Sequence, residues 1–244
     1  DEAVLSDVYD DLYPRTAVIA DGHHRYATYL QRQAVAHTHG RANGPWDLGL
    51  AFLVDATAFG PQVHPIHRVV PQVPAATLAE RAASGARVRD LDGLDLAAGL
   101  VALGEAGTDG PAYLLVSGDH SVMRLVRDLD ADRLTRALPA ERSAAWKALD
   151  VSVLHGYVIP ELWGLSDNEL TVGYEHDVSA ALETAATTGG TAVLMNPTPV
   201  GAVTAVAASG ERMPRKSTLF TPKPRTGLVL RDHRDAGQPG PAAG

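Results

Sequence analysis

The sequence contains no cysteine among its 244 residues. This absence excludes disulfides, thiolate nucleophiles and cysteine-ligated zinc sites, and it is compatible with a reducing compartment. Long apolar runs are also missing, since none approaches the roughly 20 residues that a helix needs to cross a membrane. A signal peptide has a basic start followed by an apolar core, and the sequence shows no such pattern. We therefore expect a cytoplasmic protein without a membrane partner.

Positive charge is scarce as well. Lysine and arginine together number 21 against 29 acidic residues, which gives a net charge of −8. Such a surface disfavours nucleic acid as a partner, because binding requires neutralisation of backbone phosphates. Only Lys147, Lys216 and Lys223 are lysines. The preference for arginine suits a bidentate grip on phosphate or carboxylate, although a GC-rich coding sequence produces the same bias.

The composition is that of a folded protein, with 45% hydrophobic and 20% charged residues. At the amino end, Thr16–Ala20 is typical of a short buried strand, Asp21-Gly22 of a turn, and 26–38 of a helix. We expect residues 1–42 to form part of a phosphate-binding region and residues 43–230 the remainder of the fold. The Gly-, Pro- and Ala-rich residues 231–244 predict a disordered tail.

Later segments indicate both hairpins and βα units. Residues 112–117 and 122–127 flank Gly118-Asp119-His120 and predict a hairpin. Residues 48–54 and 170–174 are typical of strands, and a helix over 178–187 precedes a strand over 191–195. This mixture of hairpins with βα units predicts the α+β class, with mixed sheets and packed helices.

The run Asp21-Gly22-His23-His24-Arg25 joins the predicted strand to the helix. The unpaired amides and positive dipole at a helix start favour an anion, Gly22 allows its close approach, and Arg25 adds a charge-assisted fork. Asp21 either caps the helix or acts as a base or metal-associated carboxylate. The adjacent histidines are expected to point in different directions, with one facing the ligand and the other packing against the protein. The alternative is an Asp-capped helix with surface histidines and a salt-bridged Arg25.

A basic cluster near the carboxyl end offers a second anion-binding patch. Five cations fall within fourteen residues and are interleaved with hydroxyl side chains: Arg212, Arg215, Lys216, Lys223 and Arg225. The functional hypothesis is that this patch folds against the turn and that Lys216 and Lys223 bind phosphate. The alternative is a solvated basic loop.

The remaining histidines give weaker patterns. His64 and His67, followed by Arg68, would form half a metal site on a helix, but Pro65 and the apolar flanks favour an extended strand that separates them. No metal site is therefore predicted. His155 lies on an apolar helix and is expected to be a satisfied core histidine.

Several segments together resemble a known family. They are Ile19-Ala-Asp-Gly-His-His-Arg-Tyr-Ala-Thr28, His64-Pro-Ile-His-Arg-Val69, Leu149-Asp-Val-Ser-Val-Leu-His155, Met195-Asn-Pro-Thr198 and the stretch 213–229. On these motifs the chain is identified as a member of domain-of-unknown-function family 1015. Known members are longer at the amino end. The start at Asp1, without methionine, then indicates a processed product or fragment, and upstream residues would contribute to the site.

The turn is also similar to the phosphate-gripping turn of the ParB and sulfiredoxin superfamily, which includes partition nucleotidases, sulfiredoxins and an ADP-dependent kinase of free serine. This resemblance covers about the first forty residues. It implies a strand-turn-helix in which Gly22, His24 and Arg25 bind phosphate, with Asp21 and His23 as the catalytic candidates.

The resulting hypothesis is a protein that binds a nucleotide or another small phosphorylated ligand, with Mg²⁺ accompanying the nucleotide and with phosphotransferase or nucleotidase activity. One alternative is a regulatory module that senses such a ligand without turnover. A DNA-associated protein of partition type is a third, which the net charge opposes.

Overall fold

The computed structural model describes residues 2–56, 58–225 and 227–230. Their contacts divide into two compact units. The first contains the described residues up to Pro61 and those from Pro222 onward, and the second comprises Gln62–Thr221. The functional division expected at residue 42 stays a prediction, because a contact boundary does not test phosphate binding. The predicted disordered tail, 231–244, lies outside the described residues.

The first unit is helical where it is regular. Its elements are α1 (Glu2–Leu12), α2 (His23–Thr38) and a 3₁₀ turn (Pro45–Asp47). Helix α2 confirms the predicted helix and begins three residues earlier. Among the described residues of this unit, Ala36 is the one apolar side chain that is buried. The unit therefore presents most of its apolar side chains to solvent.

The strand predicted over 16–20 is wrong, because these residues form neither helix nor strand. Val18 and Ile19 are 43% and 47% exposed. The strand predicted over 48–54 is also absent, and Phe52 is 74% exposed. A β-branched, apolar sequence favours a strand only when a neighbouring strand accepts its hydrogen bonds, and the described residues of this unit contain none. The amino end is therefore a turn and a helix without the expected strand.

The second unit is built on a six-stranded sheet in the order β3-β5-β4-β7-β2-β6. Its strands are β2 (His67–Val70), β3 (Arg87–Asp90), β4 (Tyr113–Ser117), β5 (Met123–Arg127), β6 (Gly173–Glu175) and β7 (Thr191–Met195). A separate pair joins β1 (Gln62–His64) to β8 (Leu219–Thr221).

The helices of this unit surround the sheet. They are α3 (Ala75–Ala82), α4 (Leu96–Gly107), α5 (Ala131–Ala137), α6 (Ala144–Lys147), α7 (Asp150–Val153), α8 (Val178–Thr188) and α9 (Val200–Ala208). Helix α7 continues as a π-helical segment, Leu154–Leu162, which contains Pro160. No helix in the described ranges is long and apolar enough to cross a membrane.

The α+β class is confirmed, and so are the β4-β5 hairpin and the β7 strand. Every strand pair among the described residues is antiparallel, although a mixed sheet was expected. The reason lies in the β6-α8-β7 unit. Strands β6 and β7 run parallel to each other, but β2 lies between them and is antiparallel to both.

Buried side chains form two cores on opposite faces of the sheet, because successive strand residues point to opposite sides. Leu114 and Leu194 belong to one core, with α4 and α8. Tyr113 and Val193 belong to the other, with α3, α7, α9 and the π-helical segment. Arg68 pairs with Val193 in register and so faces the second core.

Candidate functional sites

The turn at the start of α2 lacks a side-chain cap. Gly22 occupies the N-cap position with φ 88°, and its carbonyl accepts the amide of Tyr26 at 2.9 Å. Of the two roles left open for Asp21, that of helix cap is wrong, because the left-handed Gly22 takes the cap position and leaves Asp21 one residue outside. The first amides of α2 therefore have no side-chain acceptor, which is the arrangement that favours an anion.

Asp21 instead contacts two cations. Its Oδ2 accepts a hydrogen bond from Lys223 Nζ at 3.1 Å and lies 3.7 Å from an Arg25 guanidinium nitrogen. Partial burial raises the pKa of Asp21, but the Lys223 hydrogen bond and charge, the Gly22 amide and the Arg25 charge outweigh it and lower the pKa overall. Four predicted site residues thus meet in the first unit: Asp21, Gly22, Arg25 and Lys223.

The ionised Asp21 has chemical consequences. A carboxylate with a lowered pKa is a weak base, so Asp21 as it stands is poorly suited to abstract a proton. Arg25 approaches Asp21 less closely than Lys223 does, and its side chain is 72% exposed. Arg25 can therefore turn to an incoming anion while Asp21 keeps Lys223.

Gly22 also lies against Arg25. A Cβ atom at this position would come within 2.9 Å of the Arg25 guanidinium. Glycine is needed here for two reasons, the positive φ and the space that the guanidinium occupies. The turn and the arginine therefore depend on each other.

The two adjacent histidines do not diverge as expected. The rings of His23 and His24 lie 4.2 Å apart with an interplanar angle of 43°, and both residues are exposed. The helix begins at His23, so both rings sit at its open first turn, where they can tilt toward each other. The expectation that one packs inward is wrong. Their roles as catalytic and phosphate-binding residues stay predictions.

The second unit contains a buried cation to which the sequence motifs assign no role in a site. Arg68 on β2 is 1% exposed. Its guanidinium donates to the carbonyls of Ile66 and Lys216, the latter at 2.8 Å, and its Nε donates to His155 Nε2 at 3.1 Å. It also lies 5.0 Å from the ring centroid of Tyr174, the residue directly opposite on β6. Burial lowers the pKa of Arg68 to about 10, which leaves it charged at neutral pH.

His155 links Arg68 to a carboxylate. Its Nδ1 lies 2.9 Å from Asp167 Oδ2 while Nε2 accepts from Arg68, so the ring is neutral with its proton on Nδ1. Burial and the Arg68 charge lower the pKa of His155, and Asp167 opposes this shift. Since Arg68 occupies the lone pair of Nε2, His155 orients the guanidinium and is not a free base. We call Arg68, His155, Asp167 and Tyr174 the Arg68 cluster.

His67 lies on the opposite face of β2 from Arg68. Its Nδ1 accepts the amide of Met195 at 3.2 Å. Burial and the Arg68 charge lower its pKa to about 4, so it is neutral at physiological pH. His64 lies on β1 and bonds Thr221 at 2.7 Å. The prediction that an extended backbone separates the two histidines is confirmed, and no group of three His, Asp or Glu side chains in the described ranges is placed to hold a metal.

The family model "Protein of unknown function (DUF1015)" matches residues 1–152 of the chain. The chain belongs to this family. No curated protein and no solved structure matches the sequence. The DUF1015 match includes the turn, the segment 64–69 and the first residues of the segment 149–155. The segments 195–198 and 213–229 lie beyond it.

Four of the DUF1015-like segments meet at β2. His67 and Arg68 come from the second, His155 from the third, Met195 from the fourth and Lys216 from the fifth. One sequence signal for Arg68 was available, namely a charged residue inside the apolar run Ile66–Val70. Asp167 and Tyr174 carry no comparable signal, since nothing in the sequence indicates that the chain returns there.

Lys216 belongs to the second unit, where its carbonyl is held by Arg68. Its backbone is left-handed, with φ 54°, and its side chain is exposed. Its role in phosphate binding stays a prediction.

Proposed function

We propose that the protein binds the phosphate group of a nucleotide or another small phosphorylated ligand at the turn formed by residues 21–25. The observation that carries this proposal is the open start of α2. No side chain caps it, its N-cap is a left-handed glycine, and two cations stand beside it. Helix amides and flexible cations are the groups that recognise phosphate.

The binding mode follows from the contacts. The phosphate oxygens accept from the amides of the first turn, and Arg25 leaves its longer contact with Asp21 to form a charge-assisted fork. Lys223 holds Asp21 away from the anion and adds positive charge. His24 lies in the same turn and donates a ring N–H to the ligand, and Mg²⁺ would neutralise the remaining charge of a nucleotide.

A phosphotransferase or nucleotidase activity is the enzymatic form of this proposal. The turn and helix of the ParB and sulfiredoxin resemblance support it, although the strand expected before the turn is absent. In this form Asp21 and His23 lie beside the reacting phosphate. Asp21 must break its ion pair with Lys223 before it can accept a proton. Lys223 then pairs with the substrate phosphate instead of Asp21.

A non-catalytic sensor of a phosphorylated ligand is the second candidate. The ion pairs of Asp21 favour it, because the carboxylate proposed as base is engaged by both cations and its pKa is lowered. In this case the ligand, at free concentration L, stabilises the folded protein by RT ln(1 + L/Kd), and no product forms.

Isothermal titration of the protein with ADP, ATP and CTP in the presence of Mg²⁺ tests the proposal. We expect saturable binding that Arg25→Ala weakens about tenfold, as loss of a charge-assisted contact of ~1.4 kcal/mol requires. Arg32→Ala removes the same charge two turns along α2 and serves as the matched control. Release or transfer of phosphate over hours would identify the enzyme. Binding without release or transfer would identify the sensor. If none of the three nucleotides binds, nucleotide binding is refuted for the enzyme and for the sensor alike.

A further inference from the structure

Lys216 adopts a backbone conformation that lysine rarely takes. Its φ of 54° lies in the left-handed region, where a Cβ atom crowds the following carbonyl and glycine is the usual residue. Its side chain is exposed, so the fold gains no packing from it. The position therefore holds a strained residue whose ammonium forms no hydrogen bond or ion pair among the described residues.

Two hydrogen bonds hold this conformation. The buried Arg68 donates to the carbonyl of Lys216 at 2.8 Å, and Thr198 Oγ1 donates to the carbonyl of Ser217 at 3.0 Å. Ser217 itself is 7% exposed, so the turn is anchored immediately after Lys216. Strain at a residue persists only where the surroundings over-determine it, and such positions cluster at functional sites. We call Lys216 and Ser217 the Lys216 turn.

The charges around the turn are unbalanced. Among the described residues no carboxylate lies within 4 Å of the Arg68 guanidinium, and Lys216 forms no ion pair. Asp167 is bonded to His155, and Glu169 lies 3.4 Å from Arg215 with both side chains more than 80% exposed. Asp167 offsets part of the Arg68 charge through His155, and the exposed ammonium of Lys216 adds a positive charge at the same turn.

We propose that the Lys216 turn is an anion-binding site of the second unit, that its ligand carries a phosphate group, and that Lys216 is the side chain that contacts it. Lysine binds phosphate as a mobile point charge, which suits an exposed ammonium on a fixed backbone. Arg68 and Thr198 are positioning residues that act through the turn. This site is independent of the turn at residues 21–25.

An NMR titration of the ¹⁵N-labelled full chain with inorganic pyrophosphate tests this site. A parallel titration with acetate tests whether a carboxylate binds there as well. We expect amide shifts at residues 215–218 with pyrophosphate and weaker ones with acetate. Lys216→Gly relieves the strain and keeps the fold. It is expected to weaken the affinity for pyrophosphate, measured from these shifts, at least tenfold. Lys147→Ala, which removes a lysine elsewhere in the unit, leaves them unchanged. Shifts confined to residues 21–25, or a Lys216→Gly protein that binds like wild type, would overturn the proposal without touching the first site.

Thr198 separates positioning from folding. Thr198→Val keeps the shape and removes the hydroxyl donor, so the affinity for pyrophosphate is expected to fall at least threefold. Thr198→Ser restores the hydroxyl and is expected to restore binding, which a packing role would not predict. Wild-type affinity in Thr198→Val, or equal loss in both variants, would show that Thr198 does not position the turn.

Discussion

The ammonium of Lys223 lies 3.1 Å from a carboxylate oxygen of Asp21, although the two residues are 202 positions apart in the chain. Both side chains are about half exposed. The contact brings the Lys223 side chain to the turn at the start of α2, within the first unit. It supports the hypothesis that Lys223 belongs to the same anion site as Arg25.

Lys223→Ala tests this contact as part of a binding site. An ion pair this exposed contributes less than about 1 kcal/mol to stability, so the free energy of unfolding in urea should change by no more than that. Affinity for ADP should fall about tenfold, because the anion loses a nearby cation. Arg225→Ala removes an exposed cation two residues away and should leave the affinity unchanged. A large loss of stability without loss of affinity would show a structural role instead.

Gly22→Ala tests whether the left-handed turn supports Arg25. The substitution introduces strain at φ 88° and places a methyl group against the guanidinium, so we expect a loss of about 1–2 kcal/mol in the free energy of unfolding and weaker ADP binding. Gly40→Ala shares the positive φ, 70°, but its Cβ would meet nothing within 4 Å. It should lose stability without losing affinity. Equal affinities in the two variants would count against a role for the turn.

Arg68→Met tests the buried cluster. The substitution leaves the carbonyls of Ile66 and Lys216 and the Nε2 of His155 without their donor, and we expect a loss of about 2–4 kcal/mol in the free energy of unfolding. Arg87→Met is the control, because the Arg87 side chain is 75% exposed and its Asp128 contact is 3.8 Å long. Its effect should remain within about 0.5 kcal/mol. Similar values for both would mean that the buried hydrogen bonds contribute little.

Asp150 predicts a pH dependence of stability. Burial raises the pKa of this carboxyl from 3.8 to about 7, so the folded protein binds a proton that the unfolded chain releases above pH 3.8. The stability that the protonated Asp150 gives the folded state is fully present below pH 3.8 and is lost as the pH rises toward 7. Relative to Asp150→Asn, the wild type should lose at most about 4 kcal/mol over this range. His67 is shared by both proteins and cancels. A difference that is constant from pH 4 to 7 would contradict the raised pKa.

The sequence predicts elements whose periodicity and turn chemistry are local. The helix over 26–38, the β4-β5 hairpin around Gly118 and the strand over 191–195 belong to this group. The strand over 16–20 fails because its propensity needs a neighbouring strand that the described residues of its unit do not supply. The Arg68 cluster could not be predicted, because its contacts join four segments that are brought together only when β2 pairs with β6 and β7.

The most direct test of phosphate binding at the turn compares ADP with adenosine by isothermal titration, in the wild type and in Arg25→Ala. If the turn grips phosphate, ADP binds at least tenfold more tightly than adenosine, and Arg25→Ala removes most of that advantage while leaving adenosine unchanged. Equal affinities for ADP and adenosine in the wild type, or an advantage for ADP that persists in Arg25→Ala, would contradict the account.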